Sequence, residues 1–188
     1  MIDENTFERL LNHACEWTVA QEKFALEHGT PLTGRGLDDA RLAGVRECDR
    51  VRVLVVDRIP LPDFPELAAA AKAGGIITHD TKCVGFGYAV IIRADAWGDR
   101  ELLVHNLVHV AQCERSGGLQ PWIRKYLSDR RQCPQFSVGK LEEEARALAR
   151  KICSTGGAVS SSRQATSNQT NPSAATVGAS TTPIGSRP

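Results

Sequence analysis

The sequence predicts an α+β fold with a small mixed sheet, and three observations carry that expectation. Phe7, Leu10, Leu11 and Ala14 recur at helical spacing near the N-terminus. Val51-Arg52-Val53-Leu54-Val55-Val56 is a β-branched run of the kind that forms strands. Beyond Asp99, three apolar-periodic segments follow one another with Gly117-Gly118 after the first, which reads as three successive helices.

Taken in order, the first helix spans roughly residues 4–28, with Gln21–Ala25 continuing its stripe and Gly29 and Pro31 ending it. A short helix follows near Asp38–Ala43, then the strand at Val51–Val56. Ile59–Pro65 is a loop, because Pro60, Pro62 and Pro65 exclude regular structure. Glu66–Ala73 is an Ala-rich helix stopped by Gly74-Gly75. Gly75–Thr78 and Val84–Arg93 read as two further strands, with Gly85 and Gly87 marking a bulge or a close backbone approach in the second. The three closing helices span about Asp99–Arg115, Leu119–Asp129 (Pro121 suits its first turn) and Lys140–Cys153. Residues 154–188 contain no Asp, Glu, Lys or aromatic residue, so they cannot bury enough apolar surface to offset their ordering entropy. The organisation expected is one domain, residues 1–153, and a disordered Ser/Thr/Ala/Gly-rich tail, residues 154–188.

Composition excludes several function classes. Lys and Arg number 23 against 22 Asp and Glu, a net charge of +1, so no basic field draws nucleic acid or an anionic membrane. No stretch approaches the roughly 18 apolar residues of a membrane span. The start, Met1-Ile2-Asp3-Glu4-Asn5, has neither the basic nor the apolar region of a secretory signal. Six cysteines occur without a CxxC pair, which argues against a zinc ribbon and, without a signal, for reduced thiols and a cytoplasmic location. Nothing in the sequence bears on oligomeric state.

The chemistry concentrates in Leu102-Leu103-Val104-His105-Asn106-Leu107-Val108-His109-Val110-Ala111-Gln112. Histidines at i and i+4 share one helix face, with Cβ atoms roughly 5–6 Å apart. Both rings can then reach one ion at about 2.0–2.1 Å. The apolar flanks imply a buried helix, where a metal is one way to satisfy both rings; packing one ring and solvating the other is another. In H-E-x-x-H the residue after the first histidine is the glutamate that takes a proton from the attacking water, and here that position is Asn106. On the last helix, Leu141, Ala145, Leu148 and Ile152 form the core stripe. Glu142 and Glu144 flank it on opposite sides and Glu143 points away. Either flanking acid can turn toward the histidines, or all three can form a solvated acidic first turn that suits the helix dipole. Cys113 extends the series to i+8, but about 12 Å of helix axis separates it from His105, too far to share one ion easily.

His105–Gln112 together with Leu141-Glu142-Glu143-Glu144-Ala145 resembles a bacterial group of small metallopeptidase-type proteins of the gluzincin kind. Their pattern is H-E-L-x-H-V-x-Q followed by L-E-x-E-A. The resemblance runs from about Val51 to Ile152 and includes the loop Ile59–Pro62 and the Gly87-Tyr88 pair. It implies a zincin-like fold and a Zn2+ ion held by two histidines and one glutamate. His105 and His109 match the histidines; Glu142, with Ala145 three residues on, matches the E-x-x-A pattern of the third ligand, with Glu144 as the fallback. The catalytic glutamate has no counterpart, because Asn106 stands there. The substrate implied is a peptide or protein, held extended against an edge strand, for which Val84–Arg93 or Gly75–Thr78 is the candidate. The function expected first is a degenerate zinc metallopeptidase, a pseudoenzyme whose hydrolysis is lost or strongly reduced. The alternatives are a working hydrolase with another base, such as Glu101 or Glu114, and a metal-free peptide-binding or structural domain.

Overall fold

The computed structural model describes residues 3–133 and 138–155. Most of the tail expected at residues 154–188 lies outside the described residues.

Helix α1 (Glu4–His28) starts where Asp3 Oδ1 accepts from the Thr6 amide at 2.9 Å, and ends where the Gly29 amide donates to Ala25 O at 2.8 Å. A two-residue strand β1 (Thr30–Pro31) and helix α2 (Arg35–Leu42) lead to β2 (Arg52–Val56). After the proline loop come α3 (Pro65–Ala73), β3 (Cys83–Phe86) and β4 (Ala89–Arg93). Three helices close the chain: α4 (Arg100–Arg115), α5 (Leu119–Gln132) and α6 (Lys140–Thr155). Among the described residues no helix is long and apolar enough to cross a membrane.

The sheet order is β1-β2-β4-β3, so β3 is an edge strand. The β2–β4 pair is parallel and the other two pairs are antiparallel, the mixed sheet expected. Ala89 to Ile92 are all buried, and the strand's alternation divides them. Ala89 and Ile91 join one apolar cluster with Phe7, Leu10 and Leu11 of α1 and Trp122 and Ile123 of α5. Val90 and Ile92 join a second with Val104, Leu107 and Val108 of α4 and Ala145, Ala149 and Ile152 of α6. Helices therefore cover both faces of β4, and α4 is clamped between the sheet and α6.

A bidentate ion pair holds that clamp. Arg100 donates to both oxygens of the buried Asp39 carboxylate at 2.9 and 2.7 Å, and also to the carbonyl of Cys153 at 3.2 Å. One guanidinium thus joins α2, the start of α4 and the end of α6.

Two expected strands come out differently. Val84–Arg93 is a hairpin, β3 and β4, turning at Gly87-Tyr88. Gly87 has φ +58°, and the Glu22 carboxylate of α1 occupies the space a Cβ there would need while accepting from the Tyr88 amide at 2.9 Å. Gly75–Thr78 is not a strand. Gly75, at φ +62°, donates to Lys72 O at 3.0 Å and Ile76 donates to Ala71 O at 2.9 Å, the paired bonds that finish α3 and carry Ile77 into the core. Strand β1 was not anticipated; two residues are too few for a periodic pattern, and Pro31 suits its edge position.

Candidate metal centre

Helix α4 is capped by Asp99, whose Oδ1 accepts from the Leu102 amide at 3.0 Å. Its apolar face enters the core, which leaves His105 and His109 on the side facing α5 and α6. The first turn of α6 carries Glu142 to them. His105 Nε2 lies 3.4 Å from Glu142 Oε1, His109 Nε2 lies 3.3 Å from Glu142 Oε2, and the two Nε2 atoms are 3.0 Å apart. One donor atom from each of the three residues falls within 4.8 Å of the others, a group that could hold a metal ion. Glu144, the other candidate third ligand, is not in the group: it bonds Gln112 and, at 2.6 Å, Arg115. Cys113 is also outside it, buried in the apolar cluster that includes α1 and α5, where burial pushes its thiol up to about 12.

The orientation of His109 is set by Gln112, which is 1% exposed. Gln112 Nε2 donates to Leu141 O at 2.8 Å and to Glu144 Oε2 at 3.0 Å, two groups that can only accept. Its Oε1 is therefore the atom 2.8 Å from His109 Nδ1, which must donate. In the neutral ring the lone pair then sits on Nε2, the atom aimed at Glu142. The rings of Trp122 and Tyr126 on α5 lie 5.4 and 5.9 Å from the His109 ring, centroid to centroid, and restrict its rotation.

The charges suit ligation. Burial, the neighbouring His109 and then Arg146 lower His105 to about 4, against a partial opposing pull from Glu142, so its ring is neutral at pH 7. Burial acts to raise Glu142, but a bond donated by His109 Nε2 when it carries a proton, then the charges of the protonated histidines and Arg146, outweigh burial and hold it at about 2; a metal ion would take that proton's place. Arg146 Nε donates to Glu142 Oε1 at 3.1 Å and Tyr126 Oη donates to Oε2 at 3.3 Å. Burial, then the adjacent Glu142, raises the Tyr126 phenol, which stays protonated as a donor. A neutral imidazole and an ionised carboxylate are the forms that ligate metals.

Asn106 is buried beside the pair. Its Nδ2 donates to Leu102 O at 2.9 Å, and a Cβ added at Gly85 of β3 would stand 3.4 Å from its Oδ1. The side chain is thus tucked under the edge strand. Asn106, the two histidines, Glu142 and Gly85 all line one cavity of about 950 Å3. Of the other bases considered, Glu101 lines the same cavity but is mostly exposed and 3.7 Å from Arg150. Glu114 lies elsewhere, accepting from the amides of Arg46 and Glu47 at 2.8 and 3.0 Å.

Sequence reasoning gave Gln112, Trp122, Tyr126 and Arg146 no role. Two of them carry a spacing signal: Gln112 follows His109 by three residues and Arg146 follows Glu142 by four, each one helical turn away. The aromatic pair on α5 has no signal tying it to this site. The fold and site define an α+β domain whose central helix carries two histidines against a glutamate of the last helix. No family model, no curated protein and no solved structure matches the chain.

Proposed function

We propose that this chain is a zincin-type domain of the gluzincin kind, in which His105, His109 and Glu142 hold zinc and peptide hydrolysis is lost or strongly reduced. The observation that carries the reading is the convergence of the three donor atoms. Tetrahedral ligands about 2.0–2.1 Å from zinc stand roughly 3.3 Å apart. The two Nε2 atoms are 3.0 Å apart and each has its own Glu142 oxygen at that scale, Oε2 at 3.3 Å from His109 and Oε1 at 3.4 Å from His105, while one donor atom from each residue falls within 4.8 Å of the others. The lone pair of His109 Nε2 faces a carboxylate oxygen, an arrangement of acceptors that a cation relieves.

Zinc bound there would acidify a water and polarise a carbonyl. The chain's own residues supply the rest. Gln112 holds the His109 tautomer, Tyr126 and Arg146 hold the Glu142 carboxylate, and β3 offers an extended peptide an edge to pair with. The proton acceptor is what is missing. Asn106 is neutral and donates its amide to its own helix. The loss of a general base costs typically about 10²–10⁴-fold.

Metal analysis of the purified chain tests the site. About one zinc per chain is expected, and the His105→Ala, His109→Ala double variant should hold none; equal zinc in the two proteins would place the metal elsewhere. Asn106→Glu tests the lost base. In the zinc-loaded variant a chelator-sensitive peptidase rate should rise by about 10²-fold or more, the lower end of the general-base range. Robust chelator-sensitive cleavage by the unmodified chain would refute the pseudoenzyme.

A further inference from the structure

Glu144 is the acid of α6 that the metal group leaves out, yet it is tied to that group. Its Oε2 accepts from Gln112 Nε2 at 3.0 Å, and the other end of the same amide accepts from His109 Nδ1 at 2.8 Å. Its Oε1 accepts from Arg115 at 2.6 Å. Gln112 is 1% exposed, whereas the side chains of Arg115 and Glu144 are 50% and 45% exposed. The four residues therefore form one chain of hydrogen bonds from the surface to the His109 ring. We propose that Glu144 is a positioning residue of the metal centre, which acts through Gln112 to hold His109 in the tautomer whose Nε2 can ligate. The proposal deepens the zinc reading and rests on it.

An amide can sit in either of two orientations, and Glu144 helps to choose between them. Turned over, Gln112 would set its Oε1 against Leu141 O and Glu144 Oε2, two acceptors, and would donate to His109 Nδ1. The neutral ring would then carry its proton on Nε2 and could not bind a cation there. Leu141 opposes that rotation with a neutral carbonyl. Glu144 opposes it with a carboxylate, and hydrogen bonds to ionised groups are roughly twice as strong as neutral ones. The carboxylate also polarises the amide, so that Oε1 accepts more strongly from Nδ1–H. Arg115 keeps the carboxylate aimed. An ion pair as exposed as Arg115–Glu144 contributes little to stability by itself, so a merely structural role predicts no change at His109 when it is removed. Gln112, Arg115 and Glu144 line an outer cleft of about 420 Å3, so water can reach the Gln112 N–H that loses its partner, and the lock is lost without a buried orphan donor.

The test uses the full chain, with zinc itself as the probe. Glu144→Ala should weaken zinc by about 10-fold in a chelator competition, the lower end of the range for residues that support ligands. In the metal-free chain the same variant should move the ring nitrogen resonances of His109 toward the Nε2-protonated form. Glu144→Gln, whose amide oxygen can still accept from Gln112, should restore the parent tautomer and part of the affinity. In a Gln112→Leu background Glu144→Ala should change zinc affinity by less than about twofold, because its route to His109 is gone. Glu144→Ser, too short to reach Gln112, replaces the Ala variant if that folds poorly. Parent-like His109 resonances in the folded Ala or Ser variant overturn the proposal. So do additive losses in the double variant, which would mean that Glu144 acts by its own field. A loss above about 100-fold with the tautomer unchanged also overturns it, by making Glu144 a ligand. A chain that binds no zinc but whose His109 tautomer follows Glu144 supports the positioning role and refutes the metal reading. One zinc per chain with a tautomer indifferent to Glu144 refutes the positioning role alone.

Discussion

Two glutamates with largely covered side chains, one on α4 and one facing it from α6, have surroundings that differ in kind. Glu114, at the end of α4, has a side chain 2% exposed, and donors meet both its oxygens. Oε1 accepts from the Glu47 amide at 3.0 Å and the Tyr88 hydroxyl at 3.1 Å; Oε2 accepts from the Arg46 amide at 2.8 Å. Burial acts to raise its pKa, but the Arg46 and Glu47 amides lead the set of bonds that lowers it overall. Glu142 is held low as well, yet each of its oxygens also faces an imidazole nitrogen and the group borders the cavity. A carboxylate whose lone pairs are consumed by backbone amides closes a structure. One whose lone pairs converge with those of other acceptors leaves room for a cation. Burial and a depressed pKa are common to both, so neither property distinguishes a ligand from a clamp; the identity of the neighbours does.

Exchanging each acid for its amide breaks or sharpens that contrast. Glu142→Gln should lower zinc affinity by more than about 100-fold, beyond the 10–100-fold typical of residues that only support ligands. A competition titration with a chelator reads it, and parent-like affinity would remove Glu142 from the ligand set. Gln112→Leu deletes the acceptor for His109 Nδ1 and should weaken zinc by about 10–100-fold. The same variant should shift the ring nitrogen resonances of His109 away from the Nδ1-protonated form; unchanged resonances would mean that another group sets the tautomer. Glu114→Gln should leave zinc untouched and cost about 2 kcal/mol of stability, the scale of hydrogen bonds to a charged group. Denaturant melts of the metal-free chain measure it, and a parallel loss of zinc would erase the distinction between the two sites.

A further contrast concerns pH. His105 ordinarily titrates near 6.5 but sits at about 4 in the fold, so the unfolded chain binds the extra proton between those values. The metal-free protein should therefore lose stability as pH falls from about 6.5 to 4. Glu142, at about 2 against an ordinary 4.5, continues the loss below pH 4.5 by the same sign. Thermal melts at pH 7 and 4.5 with chelator present test it. His105→Ala should flatten the upper window and shrink the lower one, because the His105 charge helps hold Glu142 low, and an unaltered upper window would assign that titration to another group.

The sequence by itself determined the features that depend on neighbours along the chain. The spans of α1, α4 and α6 follow from helical periodicity, and Asp3 and Asp99 mark the starts of α1 and α4 through their own cap bonds. The shared face of His105 and His109 follows from 3.6 residues per turn. Tertiary structure decided what depends on contacts between distant segments. Glu142 rather than Glu144 faces the histidines because α6 packs Leu141, Ala145, Ala149 and Ile152 into the core, which sets its rotation. The hairpin at Gly87 forms where a carboxylate from α1, sixty-six residues away, takes the Tyr88 amide. Gln112 becomes the support of His109 only because the carbonyl of Leu141, twenty-nine residues on, accepts its other end. Backbone hydrogen bonds within a helix repeat at fixed local intervals and leave a readable period. The rotation of one helix against another is set by side-chain packing across the core, and no local interval records it.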